Sequence, residues 1–162
     1  MEEKSVAQSC LDLWGEKNQI YQMIEEGSEL VTALCHQRRG RFNMDRVYEE
    51  VADCLAMLDQ MDLVFGKLRF GFVVPNPVRN LRTVTISIIF IAAELQSALI
   101  QYSLNGNGIK VVKGLLYSLR EHLNFLATVT DKDAIAKWKD LKRKRILKRL
   151  ELNAEQKNCH KS

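Results

Sequence analysis

The chain has 162 residues, 46% of them hydrophobic and 27% charged, the make-up of one soluble domain rather than of a disordered or membrane-embedded chain. Eight glycines and two prolines are too few for a collagenous repeat or a many-stranded sandwich, so an all-α fold is expected. The net charge of +4 is unevenly spread: residues 1–62 carry 13 acidic and 6 basic side chains, a net −7, and residues 63–162 carry 7 and 18, a net +11.

Apolar residues recur at helical spacing along most of the chain. Ile20, Met23, Ile24, Gly27, Leu30, Val31 and Leu34 form a first stripe, and Gly40 stops its helix. Asn43 is placed to cap a second helix, whose stripe is Val47, Val51, Cys54, Leu55, Leu58 and Met61 and skips the polar Asp62. Gly66, Gly71, Pro75 and Pro77 make residues 66–80 the main connection. Leu81 to Ser103 reads as a strongly hydrophobic helix. Its longest apolar stretch, Val84 to Ile100, is interrupted by Glu94 and Gln96 and is short for a membrane span, so a buried core helix is expected. Asn105-Gly106-Asn107-Gly108 turns into a helix from Val111 to Val129. A very basic helix follows from Asp131 to about Leu152, with a frayed tail over 153–162.

These pieces predict an antiparallel bundle of five to six helices. An echo at an offset of 65 residues sets Glu29-Leu30 on Glu94-Leu95, Val47 on Val112 and Leu58 on Leu123. Two helical hairpins therefore read as pseudo-copies, the second over 79–130. Glu26, Glu50 and Asp53 of the first fall on Ile91, Leu115 and Ser118, so the second has lost most of the polar set.

Cys10, Cys35, Cys54 and Cys159 show no CxxC spacing, and no early apolar run follows Met1, so reduced thiols in a cytoplasmic protein are expected. The informative residues are Glu25-Glu26-Gly27-Ser28-Glu29 and Glu49-Glu50-Val51-Ala52-Asp53. In each, Glu26 with Glu29 and Glu50 with Asp53, two carboxylates sit at i, i+3 on one helix face, where like charges repel. A hard divalent cation would compensate them, since it takes oxygen ligands. The bland alternative is a solvated acidic face. A di-iron site needs Glu-x-x-His, which His36, His122 and His160 do not provide.

Glu26-x-x-Glu29, then Glu50-x-x-Asp53, resembles the motif of the MazG-like all-α nucleoside triphosphate pyrophosphohydrolases, relatives of the dimeric dUTPases. The flanks Trp14-Gly15, Gln19, Ile24-Glu25 and Met57-Leu58-Asp59-Gln60 resemble small, phage-type members. Residues 8–66 carry the likeness, and Trp138-Lys139 through Lys142, Arg145, Arg149 and Leu150 are similar to the family's basic helix more loosely. The resemblance implies Mg2+, with Mn2+ as a substitute, on Glu26, Glu29, Glu50 and Asp53, and cleavage of a nucleoside triphosphate to monophosphate and pyrophosphate. Glu25 or Glu49 would orient or deprotonate the water, or else lie on the surface. Lys142, Arg145, Arg149 and Arg38 would hold phosphates, and Trp14 would stack on the base or belong to the core.

The resemblance also implies a homo-oligomer, usually a dimer, or a monomer if the second hairpin completes the bundle. No membrane or nucleic-acid partner is expected. The rival readings are a helical protein that binds nucleic acid through the basic residues of 132–150, and a scaffold that binds a protein through its apolar second hairpin.

Overall fold

The computed structural model describes residues 5–41, 43–66 and 80–159, and among them six helices and no strand. α1 is Val6–Trp14, α2 Glu16–Arg38, α3 Met44–Phe65, α4 Leu81–Asn105, α5 Ile109–Val129 and α6 Lys132–Cys159. The 66–80 connection lies almost wholly outside the described residues.

Local chemistry sets the boundaries. Ser5 accepts from Gln8 N–H at the start of α1, and Asn43 accepts from Arg46 N–H at the start of α3. Asn80 and Thr83 make reciprocal cap bonds on α4, which commits a run of Val, Thr and Ile to helix despite its strand propensity. The turn after α4 needs two left-handed residues, and Gly106 and Gly108 supply them at φ 71° and 82°. α6 continues seven residues beyond the end expected at Leu152, because no Gly or Pro interrupts 153–159, and Asn153 Nδ2 donates to the Arg149 carbonyl.

α2 and α3 form one antiparallel hairpin, and α4 and α5 a second. The hairpins pack through α2 against α4 and α3 against α5, while α6 lies across α3 with α1 beside both. The second hairpin thus packs on the first within one chain. Helix starts repeat at the 65-residue offset, 16 to 81 and 44 to 109. The core repeats with them: Met23, Leu30, Leu34, Val47, Leu58 and Met61 are buried, and so are Ile88, Leu95, Leu99, Val112, Leu123 and Leu126. Each such side chain contributes about 1.5–3 kcal/mol of burial.

Two features of the seam between the hairpins stand out. Gly27 lets α2 approach α4 closely, since a Cβ there would stand 3.3 Å from Gln96 Nε2. Arg120 of α5 binds Asp59 at 2.7 Å and Asp62 at 2.9 Å, which gives the polar gap in the α3 stripe its reason. α4 differs from the buried core helix expected. It is long and apolar enough to cross a membrane by length and composition alone. In the bundle it buries one side through Val84, Ile88, Ala92, Leu95 and Leu99, while Phe90 and Leu104 are 66% and 75% exposed.

Candidate functional site

The antiparallel register of α2 and α3 builds the site. Cys54 Sγ donates to the Glu26 carbonyl at 3.3 Å, which sets the middle of Glu26 against that of Asp53-Cys54. Stepping outward in helical turns pairs Glu29 with Glu50 in one direction. In the other, Gln22 pairs with Met57, then Gln19 with Gln60. All eight side chains line one cavity of about 670 Å³, walled on the other sides by α1 and α6. The cleft therefore has an acidic end and an amide end.

At the acidic end, carboxylate oxygens of Glu26, Glu29 and Glu50 lie within 4.8 Å of one another. Asp53 stands outside that set, and Lys142 of α6 binds both it and Glu26. Lys142 Nζ is 2.8 Å from Asp53 Oδ2 and 2.9 Å from Glu26 Oε1. A second cation, the half-exposed Arg46, reaches Glu50 Oε1 at 2.6 Å, Glu49 at 2.8 Å and Glu29 at 3.8 Å. Glu50 is 1% exposed and its Oε2 is buried with no hydrogen-bond partner among the described residues. Burial pushes its carboxyl up to about 7, Arg46 opposes this, and the neighbouring acids Glu29, Asp53 and Glu26 add to it. Burial also raises the Asp53 carboxyl against the pull of Lys142. The Lys142 ammonium is held above its ordinary range, its bonds to Asp53 and Glu26 outweighing its own burial.

This donor set fits a hard divalent cation. It is all oxygen, gathered from two helices, under-neutralised by two side-chain cations, and includes one buried carboxylate oxygen with nothing to bind. Glu49 sits between Arg46 and Arg145, whose Nη1 is 3.5 Å away, and Glu25 is exposed at the rim. Arg149 and Trp14 line the cavity too. Arg38 does not: it is exposed near the end of α2, outside the lining residues, and Arg46 occupies the place foreseen for a cation from that region.

Sequence reasoning passed over Arg46, though its spacing to Glu49 and Glu50 is that of a helical ion pair. It noted Gln19 and Gln60 only as flanks, although they continue the acidic faces by whole turns. The buried thiols Cys10 and Cys54 are both pushed up by burial and are poor nucleophiles. Cys10, Cys35 and Cys54 are free. No protein-family model, curated protein or solved structure matches the chain.

Proposed function

We propose that the protein hydrolyses a nucleoside triphosphate to the monophosphate and pyrophosphate with Mg2+, as the MazG-like enzymes do. One observation carries this reading: six carboxylates from α2 and α3, Glu25, Glu26, Glu29, Glu49, Glu50 and Asp53, and four basic side chains, Arg46, Lys142, Arg145 and Arg149, line one cavity together with the amides Gln19, Gln22 and Gln60. Acids alone would suit a cation store, and bases alone an anion site. Together they suit a polyanion that arrives with its cation.

Glu26, Glu29, Glu50 and Asp53 would hold the Mg2+. When bound, the ion neutralises phosphate oxygens and makes a water more acidic. The chain's own residues do the positioning, which is most of what phosphoryl transfer asks of a protein. Arg145 and Arg149 bring guanidinium forks suited to phosphate. Lys142 and Arg46 neutralise carboxylates in the resting protein and stand where they can turn to phosphate oxygens instead. Glu49, fixed by two arginines, is better placed than the exposed Glu25 to hold an attacking water in one orientation. One chain supplies the whole cavity lining, and the equivalents of Glu26, Glu50 and Asp53 in the second hairpin are Ile91, Leu115 and Ser118, so one site per chain is proposed. The nucleic-acid reading of α6 fits less well, because Lys142, Arg145 and Arg149 turn into the cavity.

The test is a panel of canonical ribo- and deoxynucleoside triphosphates, each with Mg2+ or EDTA, assayed for pyrophosphate and monophosphate. Mg2+-dependent release of both products is expected. Release of orthophosphate, or none from any nucleotide, overturns the proposal.

A further inference from the structure

The amide end of the cavity holds a polar group that the fold itself does not use. Gln60 is 3% exposed, and its Nε2 donates to Met57 Sδ at 3.4 Å. A thioether sulfur accepts but does not donate, so this contact orients the amide and leaves Oε1 turned away from it. That Oε1 is buried with no hydrogen-bond partner among the described residues. An unpaired buried acceptor is costly, and native proteins keep few of them without a use. Gln19, 6% exposed, lines the same cavity, and the α2–α3 register sets it opposite Gln60; Trp14 and Cys10 of α1 line the cavity as well.

The distance from the acids matters. Ten residues separate Glu50 from Gln60 on α3, and ten separate Glu29 from Gln19 on α2, about 15 Å of helix in each case. That spans an extended nucleoside triphosphate from its terminal phosphates to its base. A flat heterocycle is the part of such a ligand that needs an uncharged, partly aromatic and hydrogen-bonding seat.

We infer that the amide end is the seat of the nucleobase, and that Gln60 Oε1 accepts a hydrogen bond from a base N–H on the pairing edge, with Gln19 closing the same layer. This rests on the nucleoside triphosphate reading above and adds the residue that reads the base. A base whose N–H is replaced by N-methyl loses the bond and leaves the acceptor buried and unpaired, so the protein discriminates by roughly tenfold or more.

The test has two arms. In the first, without metal, the thermal shift of the protein is followed with UMP, CMP, AMP and GMP and with counterparts in which every pairing-edge N–H is methylated, N3-methyl-UMP, N4,N4-dimethyl-CMP, N6,N6-dimethyl-AMP and N1,N2,N2-trimethyl-GMP. At least one monophosphate stabilises the wild type, its methylated counterpart does not, and Gln60→Met removes the difference. In the second, kcat/KM is measured for the matching triphosphates with Mg2+. Gln60→Met flattens the preference among bases and leaves the affinity for inorganic tripolyphosphate unchanged. Should Gln60→Met fail to fold, Gln60→Asn withdraws the same amide by one methylene and is read in the same way.

Discrimination that survives in the variant, or a wild type stabilised by none of the monophosphates, overturns the inference. Gln60-dependent discrimination without turnover would instead leave the seat standing and remove the reaction. Turnover with an unchanged base preference in the variant would do the reverse.

Discussion

Lys142 and Asp53, 89 positions apart in sequence, meet with the ammonium 2.8 Å from a carboxylate oxygen, and the same ammonium lies 2.9 Å from Glu26. The lysine thus bridges α2 and α3 from α6. Removing one partner of a buried ion pair leaves uncompensated charge, at a cost of about 3–5 kcal/mol. Lys142→Met is therefore expected to destabilise the metal-free protein by an amount of that order. Because the site then lacks one of its two side-chain cations, Mn2+ should stabilise the variant more than the wild type. Urea denaturation of both proteins with and without Mn2+ measures this, and equal stabilisation would remove Lys142 as a competitor of the metal.

The Glu50 carboxyl predicts a pH dependence. Its folded value is about 7 against an ordinary 4.5, and Asp53 is raised as well. Between about pH 4.5 and 7 the folded protein holds a proton that the unfolded chain releases. Stability of the metal-free protein therefore falls as pH rises through this window and levels off above it, by at most about 3 kcal/mol from Glu50. Divalent metal requires the deprotonated acid, so its affinity rises over the same range. Melting curves and Mn2+ titrations from pH 5 to 8 check both trends, and a metal-free protein more stable at pH 8 than at pH 5 contradicts the first.

The four acids are not equivalent. Spacing alone leads to the expectation that each neutral variant is at least as stable without metal as the wild type, by relief of like charge. The structure separates them. Glu50→Gln removes a carboxylate whose burial opposes its charge, so its melting temperature at pH 8 should rise despite the lost contact with Arg46. Glu26→Gln takes a partner from Lys142 and should show no rise. Both should abolish most Mg2+-dependent pyrophosphate release. Full activity in Glu50→Gln would sink the site assignment.

Arg120 offers a control that does not line the cavity. Its paired contacts with Asp59 and Asp62 tie α5 to α3 through a partly buried guanidinium. Arg120→Met should cost about 1–2 kcal/mol, since hydrogen bonds to charged groups outweigh ordinary surface pairs. The loss should shrink in high salt, with kcat and KM unchanged. Chemical denaturation at two salt concentrations, beside the nucleotide assay, decides it.

Much of the helical bundle was legible because the chain carries local punctuation: Asn43 as a cap, Gly40 as a stop, Asn105-Gly106-Asn107-Gly108 as a turn, and apolar residues at regular turns. The four acids were legible for the same reason, since i, i+3 spacing is a local property. What escaped was non-local. Lys142 looked like one more base of a basic helix until α6 was laid across α3, where it meets Glu26 and Asp53. Gln19 and Gln60 acquire a shared meaning only through the antiparallel register, which pairs residues 41 positions apart. Phe90 looked like core, because hydrophobicity shows which residues avoid water but not how many faces of a helix find neighbours.

The two hairpins share a frame and divide its burdens. In the first, the face beside the core is given to carboxylates and amides that repel, go unpaired or sit buried at a cost. In the second, the matching positions hold Ile91, Leu115 and Ser118, which ask for no such compensation. A single hairpin carrying the cluster would have to support it from its own small core. Beside the second hairpin it has a counterweight, because the buried core of that hairpin adds to the stability of the one that carries the acidic face.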